Sequence, residues 1–507
     1  MGLFRAPWRA ALLVFAAVFV YVGWIAASRV FLGDNDEGIY LTGALRMLRG
    51  EVPYLDFFVL TGPGSFALQA ASLKLFGISL WAARLPLIFD LATMTACLFW
   101  LVSRLSGRFA AALASFAFLA FEMAWQSMLA NHRWDSSAWA FLAATLLFFA
   151  VESPAGPAPI LASLVAGLAA AMAAWCTPPV AIAGLALAAC LARPGRVRML
   201  IAYLGGLATA FLAGAIALAA SGALLPLIRS LGWTVAHYSA VNRAPFAWVI
   251  GGYANLFRGS SLAQAGLTIA LLIFLTLPAT LPFFSLIWLR KQPSPGIIVL
   301  MAASAALILS TYPRWDMLHL VYVAAPAYAL AAPLIASWRF VRPVAVTTLL
   351  AAASLAGIAL DQRLSEPSRQ TMLGMVHGPP ADLETMEMLQ SHVHPSDTLF
   401  VYPYRPLAYF LTLARNPTRY SFLQPGMFPE SDETLALEEL EAQPPRWVFY
   451  MDLSPDQFLR IWPASDPRRL RMPRIESFLK SNYQKVEESG GFELLERQGA
   501  ANAGLPQ

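Results

Sequence analysis

Apolar residues run in long blocks through the first 360 positions and shorten abruptly afterwards. Eleven blocks, near 11–28, 79–103, 109–125, 136–152, 159–175, 178–193, 197–219, 263–289, 296–311, 318–336 and 343–360, approach or exceed the roughly 20 residues that a helix needs to cross a hydrocarbon core. They predict a polytopic α-helical membrane protein of about 11 transmembrane helices. One connection, 29–78, is too polar to be a span yet keeps a helical period. Ile39 to Leu48 alternates apolar and polar positions at helical spacing, Ser65 to Phe76 does so more weakly, and Pro53, Gly62, Pro63 and Gly64 break the chain between them. Two interfacial helices are expected there.

Beyond Asp361 charge and proline rise. Thr398 to Tyr402 and Trp447 to Tyr450 read as buried strands, Asp432 to Glu441 as a helix, and Phe492 to Glu496 as a final strand. The expected organisation is a transmembrane domain over 1–360 and a small α/β domain over 361–507.

Composition supports this division. The chain is 58% hydrophobic, and its three cysteines (Cys97, Cys176 and Cys190) all lie in apolar blocks, which excludes a disulfide framework or a cysteine-built metal site. Residues 1–360 hold 21 bases and 10 acids, whereas 361–507 hold 14 bases and 20 acids. The basic excess therefore belongs to the membrane part and reads as topology, not as a nucleic-acid partner. Arg5 and Arg9, Arg104 and Arg108, Arg193, Arg196 and Arg198, Arg290 and Lys291, and Arg339 and Arg342 all fall in the cytoplasm if the N-terminus does. The first span is read as a retained helix, not a cleaved signal. Seven of the ten acids and the C-terminal domain then face the periplasm or cell exterior.

The acids carry the functional signal. Five of the ten, Asp34, Asp36, Glu37, Glu51 and Asp56, lie between positions 34 and 56. Intramembrane carboxylates are costly, so acids gathered beside a membrane point to chemistry. Each also has a structural reading. Asp34 and Asp36 precede a helical pattern and suit a helix cap, Glu37 suits a first-turn acid, Asp56 suits a link between the two interfacial helices, and Asp135 suits a cap on the fourth span. Asp90, near mid-membrane, is expected to make an interhelical hydrogen bond. His377, His392 and His394 are too scattered to form a metal site.

An ordered set of motifs adds a resemblance. Asp36-Glu37-Gly38-x-Tyr40, Leu48-x-Gly50, Pro53-Tyr54-x-Asp56-Phe57-Phe58, Gly62-Pro63-Gly64, and Leu75-Phe76-Gly77 with Ala83-Arg84-Leu85 resemble membrane glycosyltransferases of the GT-C class. The likeness is to the branch that holds protein O-mannosyltransferases and the lipid A aminoarabinose transferase, and it extends to Arg133-Trp134-Asp135 and to Pro313-Arg314 through His319 to Pro326. It implies a sugar donor carried on a polyprenyl phosphate, an extracytoplasmic acceptor (lipid, glycan or protein), and a cytoplasmic-membrane location. It implies an essential Asp in the first outer loop, which carries over to Asp36, with Glu37 adjoining and Asp135 as a second acid. The donor phosphate is expected at Arg314, with His319 and Arg133 beside it, and Arg243 and Arg258 as further cations. Some relatives have a Lys before the Pro of the second motif, and here those positions are Thr61 and Gly62. No cofactor is implied beyond the lipid-linked sugar, although the nearby acids could hold a divalent ion. Two rivals remain at this level: a transporter or flippase, which calls for acids near mid-membrane, and a noncatalytic scaffold relative.

Overall fold

The computed structural model describes residues 5–33, 36–125, 129–425, 427–429 and 431–499, so the expected cap Asp34 lies outside the described residues. In chain order the helices are α1 (Arg5–Ala26), α2 (Asp36–Leu48), α3 (Gly64–Phe76), α4 (Leu80–Ser106), α5 (Arg108–Trp125), α6 (His132–Glu152), α7 (Pro157–Cys176), α8 (Ala181–Leu191), α9 (Val197–Ala220) and α10 (Leu224–Val241). They continue as α11 (Phe246–Asn255), α12 (Leu262–Leu275), α13 (Leu281–Arg290), α14 (Pro295–Ser310), α15 (Met317–Tyr322), α16 (Ala324–Ala336) and α17 (Val341–Ser365). The last of these runs past the boundary expected at 360.

Each of the eleven apolar blocks is helical, but among the described residues six helices (α1 from Trp8, α4, α6, α7, α9 and α17) are individually long and apolar enough to cross a membrane. The stretch through α12 and α13 is bent by 69°, and α5, α8, α14 and α16 are shorter. Prolines account for several breaks. Pro178 follows the end of α7, Pro278 sits in the turn between α12 and α13, and Pro326 opens α16. Helices of the bundle share one apolar core that includes Trp100, Phe118, Phe121, Phe141 and Leu300. Between α7 and α9 the backbones nearly touch. A side chain on Gly167 would collide with the carbonyl of Tyr203, and one on Gly206 with that of Leu164. α9 and α17 leave most of their length uncovered and expose Leu212, Ile216, Leu350 and Ile358, as helices facing lipid do.

The C-terminal part begins with a hairpin, β1 (Ser368–Thr371) and β2 (Gly374–His377), then α18 (Pro380–His392), β3 (Leu399–Tyr402), α19 (Leu407–Thr412), α20 (Ser431–Ala442), β4 (Trp447–Tyr450), α21 (Pro455–Ile461), α22 (Pro473–Asn482), β5 (Tyr483–Ser489) and β6 (Phe492–Arg497). Its sheet has the order β3-β4-β6-β5, with β3 and β4 parallel and the other pairs antiparallel. The domain is fastened to the segment after α1 and to the α2–α3 connection. Val30 donates to the His377 carbonyl at 2.7 Å, Leu32 to the Asp382 carboxylate at 3.1 Å, and Phe58 to the Arg419 carbonyl at 2.9 Å. Arg46 reaches the Thr418 carbonyl at 2.9 Å.

Candidate functional site

The first two residues of α2 are both acids, as suits the positive end of a helix, and the fold sends them opposite ways. Glu37 points inward and is fully buried. Arg84 of α4 grips it with both arms, Nε to Oε1 and Nη2 to Oε2, each at 2.8 Å. The Ala130 backbone N–H adds a third bond to Oε1 at 3.0 Å, and the Arg84 Nη1 donates to the carbonyl of Ala26. One ion pair thus ties together α1, α2, α4 and the approach to α6. Glu37 was expected beside the chemistry; its two oxygens are instead spent inside the protein.

Asp36 is exposed. Its Oδ2 accepts from the Asn131 amide at 3.1 Å, and its Oδ1 accepts from the Tyr404 hydroxyl at 3.0 Å. Asn131 is also the cap of α6, where it accepts from the Arg133 N–H at 2.9 Å. Tyr404 comes from the loop between β3 and α19, in the other domain. That loop lies flat on α2: Thr42 donates to the Pro406 carbonyl at 2.8 Å, and a side chain at Gly38 would overlap the backbone of Leu407. Only glycine permits this approach.

Arg133 is half-buried. Among the described residues no hydrogen bond or ion pair engages its guanidinium. It acts on the same two phenols as Asp36, Tyr40 of α2 and Tyr238 of α10. Burial pushes the Tyr40 hydroxyl well above its ordinary range and raises that of Tyr238; the Asp36 charge pushes the same way and the Arg133 charge opposes it. The Tyr40 ring lies 5.4 Å from that of His132, roughly stacked.

Arg314 sits differently. Its Nε donates to Asp316 Oδ2 at 2.9 Å, and its Nη1 donates to the Asn242 side-chain oxygen Oδ1 at 3.2 Å. The Asn242 amide in turn donates to the Tyr238 hydroxyl. His319 Nδ1 lies 2.7 Å from Asp316 Oδ1. Burial disfavours the Asp316 charge, but the contacts from His319 and Arg314 outweigh it and hold the carboxyl well below the usual carboxylate range. Arg314 therefore has its counter-charge inside the protein, whereas among the described residues no acid pairs with Arg133.

Asp135 does not join the group. It is buried inside the bundle, facing Asp90 of α4, and one carboxylate oxygen of each has no hydrogen-bond partner. The interhelical contact expected of Asp90 is to Asp135. Asp56 accepts from the Val52 N–H at 2.7 Å and braces the α2–α3 connection. Arg243 and Arg258 are exposed. No three His, Cys, Asp or Glu side chains come together among the described residues, so the site offers no protein-built cage for a divalent ion.

Beside the site, a cavity of about 640 Å³ opens between the α2–α3 connection and α7 and α9. Its walls are apolar, with Met47, Pro63, Met172, Trp175, Ala213 and Leu218 among them.

Sequence reasoning missed Tyr238, Asn242, Asn131, Arg84 and Tyr404 as parts of the site. Asn131 and Arg84 flank or lie within motifs that it used, and a polar residue before a charged span opening is a readable cap signal. The other three carry no local signal.

No family model matches the sequence, and no curated protein matches it either. Solved structures do resemble it. ArnT from Cupriavidus metallidurans, bound to undecaprenyl phosphate, superimposes with a TM-score of 0.58 at 14% identity, over 98% of this chain and 99% of that one. The oligosaccharyltransferase AglB from Archaeoglobus fulgidus, in complex with an inhibitory peptide and a dolichol-phosphate, gives a TM-score of 0.50 at 12% identity, over 87% of this chain and 69% of that one. The same archaeal protein in complex with Zn and sulfate gives 0.51 at 14% identity, over 88% and 67%. Over nearly its whole length, this chain has the fold of the GT-C membrane glycosyltransferases.

Proposed function

We propose that the protein transfers a sugar from a polyprenyl phosphate to an acceptor on the extracytoplasmic side of a bacterial cytoplasmic membrane. The observation that carries this reading is the pairing of an exposed carboxylate, held at both oxygens, with a guanidinium that no acid among the described residues pairs, both acting on the phenols of Tyr40 and Tyr238. The donor phosphate supplies the negative charge that Arg133 lacks, and the guanidinium fork matches two phosphate oxygens. The polyprenyl chain lies in the apolar cavity beside Pro63 and Gly64. Asp36 accepts the proton of the acceptor hydroxyl as its oxygen bonds the anomeric carbon. The bond from that carbon to the phosphate oxygen breaks, and the polyprenyl phosphate leaves with the electron pair. A single displacement inverts the anomeric centre. Arg314, Asp316 and His319 brace Asn242 and Tyr238, and Glu37 fixes the start of α2. Asn131 and Tyr404, which come from segments assigned to the extracytoplasmic side, meet on Asp36 at the end that carries the C-terminal domain, in keeping with that topology.

The test uses the purified full chain with a panel of undecaprenyl-phosphate-linked sugars, following release of undecaprenyl phosphate. Release by the parent and its loss in Asp36→Asn support the reading. Release that persists in a folded Asp36→Asn protein removes Asp36 as base, and a parent inert towards every donor, with and without lipid and glycan acceptors, refutes transferase activity on that class.

A further inference from the structure

We propose that the C-terminal domain supplies a positioning residue to the reaction: Tyr404 holds the Asp36 carboxylate in its working orientation. The inference rests on the reading of Asp36 as the base. It goes beyond that reading by making the second domain part of the catalytic apparatus.

Three observations carry it. The Tyr404 hydroxyl lies 3.0 Å from Asp36 Oδ1, on the oxygen that Asn131 does not bind. A carboxylate pinned through one oxygen can still swing about its Cβ–Cγ bond; pinned through both, it presents one fixed face. Next, the ring that bears this hydroxyl is itself immobilised. It packs edge-on against Phe422 at 4.9 Å and Trp462 at 5.4 Å, and the residue is 8% exposed. The loop that carries it is anchored on both sides, by the Leu423 N–H to the Pro403 carbonyl at 2.8 Å within its own domain and by Thr42 to the Pro406 carbonyl at 2.8 Å on α2. Finally, Gly38 lies two residues beyond Asp36 and lets that loop approach α2 at backbone distance, so the hydroxyl arrives without slack. A domain concerned only with binding the acceptor has no need to insert a clamped phenol against the base.

The phenol donates to the carboxylate, and so favours its charged, proton-accepting form. Tyr404 touches neither substrate nor the reacting atoms in this scheme and acts through Asp36 alone.

The decisive variant is Tyr404→Phe, which keeps the ring between Phe422 and Trp462 and deletes one oxygen. In the purified full chain it should melt as the parent does. Release of undecaprenyl phosphate from a turned-over donor should fall in kcat by roughly tenfold to a hundredfold, as befits a lost hydrogen bond to a charged group, with the donor KM within about twofold of the parent. The acid limb of the rate profile should move to higher pH, because a hydrogen bond to the charged carboxylate is lost. A purely structural role would not move that limb. A second arm needs no activity. Water-soluble carbodiimide with glycine ethyl ester labels protonated carboxyl groups, and labelling of the peptide holding residue 36 should rise in Tyr404→Phe at fixed pH, with Asp36→Asn as background. If the parent turns over no donor, the transferase reading fails while this arm still tests the contact. A folded Tyr404→Phe protein with parental labelling overturns the proposal, as does one with parental kcat and an unmoved acid limb.

Discussion

Removing the charge from Glu37 tests how the site is held in place. In Glu37→Gln, one of the two parallel bonds from Arg84 meets an amide N–H where it had a carboxylate oxygen, so two donors face each other. The guanidinium of Arg84 stays in a pocket where both side chains have 0% exposure. Breaking a buried ion pair by neutralising one partner costs about 3–5 kcal/mol. The three acceptor bonds that Glu37 makes, two from Arg84 and one from Ala130, favour the upper part of that range. In a chain of 507 residues each kcal/mol is worth no more than a couple of degrees, so the melting temperature of the detergent-purified protein should fall by roughly 5–10 °C. Activity should fall further than stability predicts, because residue 36 adjoins the broken clamp. The companion variant is Glu37→Gln combined with Arg84→Met. It removes the stranded charge and should recover part of the loss. Glu37→Gln melting with the parent would falsify the clamp. A double variant whose loss equals the sum of the two single losses would show that the pair is not coupled.

Three further outcomes follow from the same geometry. Arg133→Ala should weaken binding of undecaprenyl phosphate by tenfold or more with little change in melting, whereas Arg314→Ala should destabilise the fold by about 1–3 kcal/mol because it deprives Asp316 and Asn242 of a partner; titration calorimetry and a melting curve on each variant separate the two. Ala217→Phe, in the wall of the apolar cavity, should raise KM for an undecaprenyl donor more than for a donor with a chain of a few isoprene units, and equal effects would put the chain elsewhere. Asp316 has its native value depressed, so its contribution to stability is fully present above the unfolded value of about 3.9 and is lost as pH falls below that towards the lower native value. Melting between pH 5 and about 3 should therefore decline less steeply in Asp316→Asn than in the parent.

The sequence makes the frame of this protein legible where a single physical rule dominates. Apolar length finds the eleven apolar helical blocks but passes over α10 and α11, which it leaves as a connection, and alternation with strand-forming residues finds β3, β4 and β6. It overstates the count of simple crossings, because α8, α14 and α16 are apolar throughout but cut short by neighbouring prolines and polar turns. It passes over β5, a strand of mostly exposed polar residues, which has no apolar face to announce it. At the site, charge beside a membrane draws attention to the acids of the first outer loop, but Asp36, Arg133 and Arg314 are singled out by the resemblance of the motifs that hold them. Which of two neighbouring acids faces outward is not legible. A helix turns about 100° per residue, and the choice between Asp36 and Glu37 depends on Arg84, 47 positions away. Tyr404 is further still, 368 positions from its partner, and nothing in its own segment distinguishes it from a core aromatic.

The division of charge explains why the phenols matter. A sugar joined through phosphate to a polyprenyl chain carries one negative charge on its phosphodiester, and the departing polyprenyl phosphate gains another as the glycosidic bond breaks. Catalysis needs groups that bind the departing form better than the bound donor. Arg133 supplies a fixed cation, and Arg314 contributes little net charge because Asp316 is already beside it. Among the groups on which the Arg133 charge acts are the Tyr40 and Tyr238 hydroxyls, which burial keeps protonated at neutral pH. Protonated phenols donate hydrogen bonds that strengthen as the phosphate gains charge, and they add no positive charge that would overbind the donor. Tyr238→Phe should then lower kcat with little effect on KM, whereas Arg133→Ala should affect both. A Tyr238→Phe protein with unchanged kcat would leave Arg133 as the group that stabilises the leaving phosphate.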